Sequence, residues 1–131
     1  MSQTMHPLMA DYVMRNGISV PKPFRGRVTV VVDDHYRVHM QVSPKGRLAL
    51  LSRLATLPPA GATRDDWLLQ VGKLAVGTLS TYSAACAVDP RETALWLQQI
   101  LTPDDDVSVD EFMGQFVNAL SFWVGALSRL V

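Results

Sequence analysis

A single cysteine, Cys86, stands among 131 residues. That scarcity excludes an internal disulfide framework and any zinc or iron–sulfur site built from several thiolates. Net charge is also missing, since 12 Lys+Arg balance 12 Asp+Glu. No hydrophobic run approaches the roughly 20 residues a bilayer-spanning helix needs. The opening MSQTMHPLMADY lacks the basic-then-apolar pattern of a secretory leader, so a cytoplasmic chain is expected, with no membrane contact. There is no glycine-rich phosphate loop: Gly72 and Gly77 fall inside a predicted helix and no Gly-Lys-Ser/Thr follows them. No GxSxG elbow occurs either. What is present is 48% hydrophobic and 18% charged residues, the composition of a globular chain. Residues 1–131 fit one domain, large enough to build a core without a metal or a disulfide.

The balanced charge hides a segregation. Residues 1–64 carry nine Lys/Arg and three acids, and the remainder carries three Lys/Arg and nine acids. Such asymmetry sometimes marks a nucleic-acid face. Here the basic residues are scattered and do not interleave with aromatics, so a solvated surface is the better reading and no nucleic-acid partner is expected.

Periodicity predicts the elements. A short helix runs from about Pro7 to Asn16, with Pro7 in the first turn, Gly17 at the exit, and Leu8, Met9, Tyr12 and Val13 as its apolar stripe. Asp11 and Arg15 pair at i,i+4. After an extended loop with Pro21 and Pro23 come three strands of an antiparallel meander, about Arg27–Val32, Tyr36–Val42 and Arg47–Leu54. The second alternates cleanly, with Tyr36, Val38, Met40 and Val42 opposite Arg37, His39 and Gln41. Turns fall at Asp33-Asp34-His35 and Ser43-Pro44-Lys45-Gly46. A helix from Thr63 to about Ser80 follows, then strands at about Tyr82–Val88 and Thr93–Ile100. A last helix is opened by Ser108 and Glu111 as a capping box. The order α-β-β-β-α-β-β-α predicts an α+β fold, with an antiparallel five-stranded sheet packed by helices.

The second helix is apolar on two sides. Trp67, Leu68, Val71, Leu74, Ala75, Thr78 and Leu79 form one, and Leu69, Gly72, Val76 and Gly77 the other. Each interior glycine costs roughly 1 kcal/mol against alanine, which close approach of another backbone offsets. The sheet covers one side only, so a second subunit is the expected cover for the other, and a homodimer follows.

Candidate chemistry is sparse. Asp104, Asp106, Ser108 and Asp110 alternate as in a calcium loop, but Val109 and Gln115 stand where that loop needs its Gly and Glu. A helix-capping acid run accounts for them. His35 and His39 lie across a turn and a strand, about 13 Å apart at about 3.3 Å per residue, too far to share a metal. Cys86, flanked by Ala84, Ala85 and Ala87, reads as a packed structural thiol. No metal, no cofactor and no catalytic constellation is expected, which favours binding over catalysis. One alternative is a small α+β ligand-binding protein or enzyme with a pocket under the last helix.

Apolar surface is what remains. Trp96 and Ile100 face opposite to Leu95, Leu97 and Leu101, and Leu51 faces opposite to Leu48 and Leu50. With helices on one sheet face, part of the other is apolar, and either loops or a partner must cover it.

On these residues the chain resembles the class I type III secretion chaperones, the Tir-chaperone-like family of Gram-negative bacteria. The resemblance covers nearly the whole chain. It rests on the element order and on LMADYVMRNGI, VTVVVDDHYRVHMQV, LALLSRLATLPP, WLLQVGKLAVGTL, ALWLQQIL and DEFMGQFVNALSFWVGAL. It implies a non-enzymatic, cytoplasmic homodimer that uses no ATP. Its partner would be a secreted effector, bound near the effector's N-terminus in extended form, with the secretion ATPase as a further partner. By element, the resemblance assigns effector binding to Leu8, Met9, Tyr12, Val13, Leu51, Trp96 and Ile100. It assigns the dimer interface to Leu69, Gly72, Val76, Gly77 and Cys86. The family is usually acidic; this chain, with its basic first half, implies an effector segment carrying acids.

Overall fold

The computed structural model describes residues 5–101 and 108–130. Helix α1 (Pro7–Arg15) is followed by strands β1 (Arg27–Val32), β2 (Tyr36–Val42) and β3 (Leu48–Thr56). Helix α2 (Ala62–Thr78), strands β4 (Ala85–Asp89) and β5 (Ala94–Ile100), and helix α3 (Val109–Ser128) complete the chain. The strands form one antiparallel sheet in the order β1-β2-β3-β5-β4.

Local chemistry sets the boundaries. Proline in the first turn of α1 leaves no orphan N–H there, and His6 Nδ1 accepts from Leu8 N at 3.1 Å. At the first hairpin, Asp33 and Asp34 both take positive φ, 54° and 52°, and His35 N donates to Val32 O at 3.1 Å. Aspartate tolerates that left-handed backbone better than most residues. At the second hairpin Gly46 takes φ 80° and Ser43 N donates to Arg47 O at 2.7 Å. Ser108 Oγ accepts from Glu111 N at 3.1 Å and caps α3.

Three boundaries differ from expectation. β3 runs on to Thr56 because a bulge between Arg53 and Ala55 lets it keep pairing with β5. Gly61, at φ 135°, is the N-cap of α2, so the helix starts at Ala62, one residue ahead of Thr63. β4 begins at Ala85, not at Tyr82. Thr81 N and Tyr82 N both donate to Thr78 O, so this stretch is still closing the end of α2. The calcium-like positions Asp104 and Asp106 lie outside the described residues.

All three helices lie off one face. Val28 and Val30, Val38 and Met40, Leu48 and Leu50, and Leu95 and Leu97 point from four adjacent strands into the core, each at most 7% exposed. Phe112, Phe116, Leu120 and Trp123 of α3 meet them, all at 1% or less. Met9, Tyr12 and Val13 of α1 close the same core from the side. Arg15 ties α1 to α3, bonding Asp11 Oδ2 at 2.8 Å and Asp110 Oδ2 at 2.9 Å. These pairs are about half exposed and contribute little beyond orientation.

Stability therefore rests on the aromatic ridge of α3. Phe116→Ala is expected to lower the unfolding free energy by about 3–5 kcal/mol, read as a fall in the urea midpoint at unchanged slope. Arg15→Ala is expected to move the midpoint far less, and an equal shift in both variants would contradict this ranking.

Candidate functional site

Strand alternation that buries one sheet face dictates the other. Opposite the helices, Thr29, His39, Leu51 and Gln98 fall in one row across β1, β2, β3 and β5. Arg53, Trp96 and Ala87 fall in the next. Leu51 and Trp96 are half-buried, and Ile100 is 43% exposed. The four apolar or aromatic positions Leu51, Trp96, Ile100 and Ala87 thus share a surface with Arg27, Arg37, Arg53 and His39.

Two open grooves meet at this face, one lying along it and the other passing from it to the helix side. One is lined by Arg27, Leu51, Ala87, Val88, Asp89, Glu92, Trp96 and Gln98. The other runs to the edge of α3, between His35, Tyr36, Arg37, His39, Ser52, Arg53, Trp96, Leu120 and Val124. Trp96 belongs to both. Its indole Nε1 is covered and has no acceptor among the described residues. A covered donor without a partner is costly, and an acceptor brought by a ligand relieves it. His39 lies 5.8 Å from the Trp96 ring and shares a 2.8 Å hydrogen bond with Thr29 Oγ1. Burial pushes its imidazole below the ordinary range, and Arg27 and Arg37 push the same way.

The sequence-assigned binding residues separate into two groups. Leu51, Trp96 and Ile100 lie on the open face, and Leu8 on α1 is 42% exposed. Met9, Tyr12 and Val13, at 0%, 8% and 8% exposed, are core residues beneath α1 and offer no surface here. An α1 stripe facing the core reads in sequence like one facing a groove, so periodicity alone does not separate the two. Arg37, His39 and Arg53 lie outside the sequence-assigned set, yet the alternation of β2 puts the first two on this face, and Arg53 follows two residues after Leu51.

The second uncovered surface is α2. Only Trp67 and Val71 of its 17 residues are buried. Leu69 is 58% and Val76 71% exposed, and Leu79, expected on the covered side, is 76% exposed. A Cβ added at Gly72 or Gly77 would meet nothing within 4 Å in this chain. Nothing among the described residues therefore explains those two glycines. Cys86, on the edge strand β4 opposite Leu97, is half-buried, and burial alone pushes its thiol up to about 12. The space beneath α3, where a ligand pocket was the alternative, is filled by Phe112, Phe116, Leu120 and Trp123. Among the described residues no three His, Cys, Asp or Glu side chains gather as a metal site, and no helix is long and apolar enough to cross a membrane.

No protein-family model and no curated protein matches the chain. Solved structures do. A chain of the HopA1–SchA chaperone–effector complex superposes with TM-score 0.60 at 15% identity, over 90% of this chain and 91% of that one. A chain of the heterodimeric ExoU–SpcU complex from the type III secretion system of Pseudomonas aeruginosa gives TM-score 0.59 at 14% identity, over 88% and 93%. The complex of the Yersinia pestis type III secretion chaperone SycH with a stable fragment of YscM2 gives TM-score 0.56 at 18% identity, over 93% and 98%. At these identities the likeness is one of fold, and the fold is that of the type III secretion chaperones.

Two outcomes follow from the titratable groups. Because folding depresses the His39 pKa, the unfolded chain takes up a proton first as pH falls below about 6.5, and the folded chain loses stability over that interval. Urea unfolding at stepped pH should show this slope, and His39→Gln should flatten it; an unchanged slope would discount His39. With its thiol held near 12, Cys86 should alkylate far more slowly at pH 8 in the folded protein than in urea. Equal rates would contradict its burial.

Proposed function

We propose that the chain is a type III secretion chaperone: a cytoplasmic, non-enzymatic homodimer that binds an N-terminal segment of a secreted effector. The segment is held extended and the effector kept competent for export. What supports this reading most is that about nine-tenths of the chain shares its fold with proteins solved as chaperone–effector complexes. The uncovered surfaces agree with it. An extended client segment buries apolar side chains on the face carrying Leu51, Trp96 and Ile100, with Leu8 of α1 as a further contact. Its backbone can pair with a sheet edge. Ordering a disordered client lowers affinity per unit area but permits a long wrapped contact. No step requires ATP hydrolysis, and docking to the secretion ATPase would follow once the client is loaded.

The dimer is assigned to the outer side of α2, through Leu69, Gly72, Val76 and Gly77, with Cys86 on the adjoining β4. Glycines at Gly72 and Gly77 let a second backbone approach closely, offsetting their cost of roughly 1 kcal/mol each. Light scattering should give twice the chain mass for the wild type and the chain mass for Val76→Arg. A Val76→Arg dimer would remove α2 from the interface. For function, the chain is co-expressed with proteins secreted by its source bacterium and with versions cut at the N-terminus. A stable complex that depends on the client's N-terminal region is expected. Absence of complex with every secreted protein would overturn the chaperone reading.

A further inference from the structure

The two grooves that meet at Trp96 differ in charge. His39 pairs with Leu51 in the ladder, and beyond that pair lie Arg37, two residues before His39, and Arg53, two residues after Leu51. Both are exposed and both line the groove that also holds His35 and His39. Among the described residues, neither arginine has a carboxylate within salt-bridge distance; the ion pairs there belong to Arg15. Arg53 makes one side-chain bond, from its guanidinium to Thr56 Oγ1 at 2.7 Å. Like charges lining one groove repel, and an incoming anion relieves that repulsion. The adjoining groove carries instead Asp89 and Glu92 on its β4 side, with Arg27 of β1 across from them in its lining. Between the two lie Trp96, which lines both, and Leu51.

Resting on the chaperone reading above, we propose that this face docks a polarised segment of the client. Carboxylates lie at the Arg37–Arg53 end, apolar side chains rest on Trp96 and Leu51, and a neutral or basic residue sits at the Asp89–Glu92 end. Arg53 stands opposite Trp96, and Trp96 opposite Ala87, with Asp89 two residues further along β4. Two strand spacings and two residues of rise make that path about 12 Å, which about four extended residues span. The acidic end argues against a nucleic acid, whose uniform negative charge Asp89 and Glu92 would repel.

The test uses fluorescent synthetic peptides of about 12 residues, long enough to cover the path with margin. One carries two aspartates, an alternating leucine and isoleucine run, and a lysine. A second exchanges the charges, and a labelled oligothymidine is the third probe. Fluorescence anisotropy should show the first peptide binding about tenfold or more tightly than the second, more weakly as salt rises. Arg37→Glu with Arg53→Glu should lose that preference, and Arg37→Lys with Arg53→Lys should keep most of it. Both positions are exposed, so an unchanged thermal midpoint confirms that each variant folds. Equal binding of the two peptides, indifference to the glutamate pair, no binding by either peptide, or tighter binding of oligothymidine each overturns the proposal. The two readings fail separately. Client capture that ignores the glutamate pair sinks the polarised site and leaves the chaperone. Arginine-dependent peptide binding with no client captured supports the site and removes the chaperone.

Discussion

Everything on the functional side depends on how α3 packs against the sheet. Phe112, Phe116, Leu120 and Trp123 lie against side chains from four strands, and that contact decides which sheet face is inside. Side chains alternate strictly along a strand, so once Val38 and Met40 are buried, Arg37, His39 and Gln41 must face outward. A slip of one residue in register would exchange the two sets, placing arginines in the core. The core therefore fixes the outer face as well, with no tolerance for drift. This is why the outer surface has a defined arrangement of charge and apolar area.

That logic also explains how much could be read without coordinates. β2 was legible because one side of its alternation is apolar and the other basic. Leu51 and Trp96 were placed on the correct face for the same reason. On α2 the pattern placed Trp67 and Val71 on the covered side and Leu69 and Val76 on the open one, but put Leu79, which is 76% exposed, with the covered set. Where pattern failed, the cause was that periodicity reports a face and not what meets it. Met9, Tyr12 and Val13 form a stripe in either case, and only the position of α3 shows that the stripe is core. The start of β4 failed differently. Residues 82–84 look strand-like by composition, but Thr78 O captures the amides of Thr81 and Tyr82, and the ring of Tyr82 stacks on Phe122 at 5.5 Å. Tertiary contact overrode local propensity there.

Charge was the least legible feature. A net charge of zero with basic and acidic halves says nothing about where in space the charges meet. Folding separates them in an uneven way. Arg15 finds two carboxylates, through α1 and α3, while Arg37 and Arg53 line one groove with no carboxylate within salt-bridge distance among the described residues. The register of one hairpin thus produces a local excess of positive charge that composition averages away.

An apolar sheet face open to water is ordinarily a hazard, because it invites edge-to-edge and face-to-face association. Here the apolar part is narrow, since Leu51 and Trp96 are flanked in their own rows by His39, Gln98 and Arg53. The bulge at Arg53 and Ala55 twists the strand locally and works against flat stacking as well. Arg37 and Arg53 form no ion pair among the described residues, so charge as well as apolar area limits what can lie on this face.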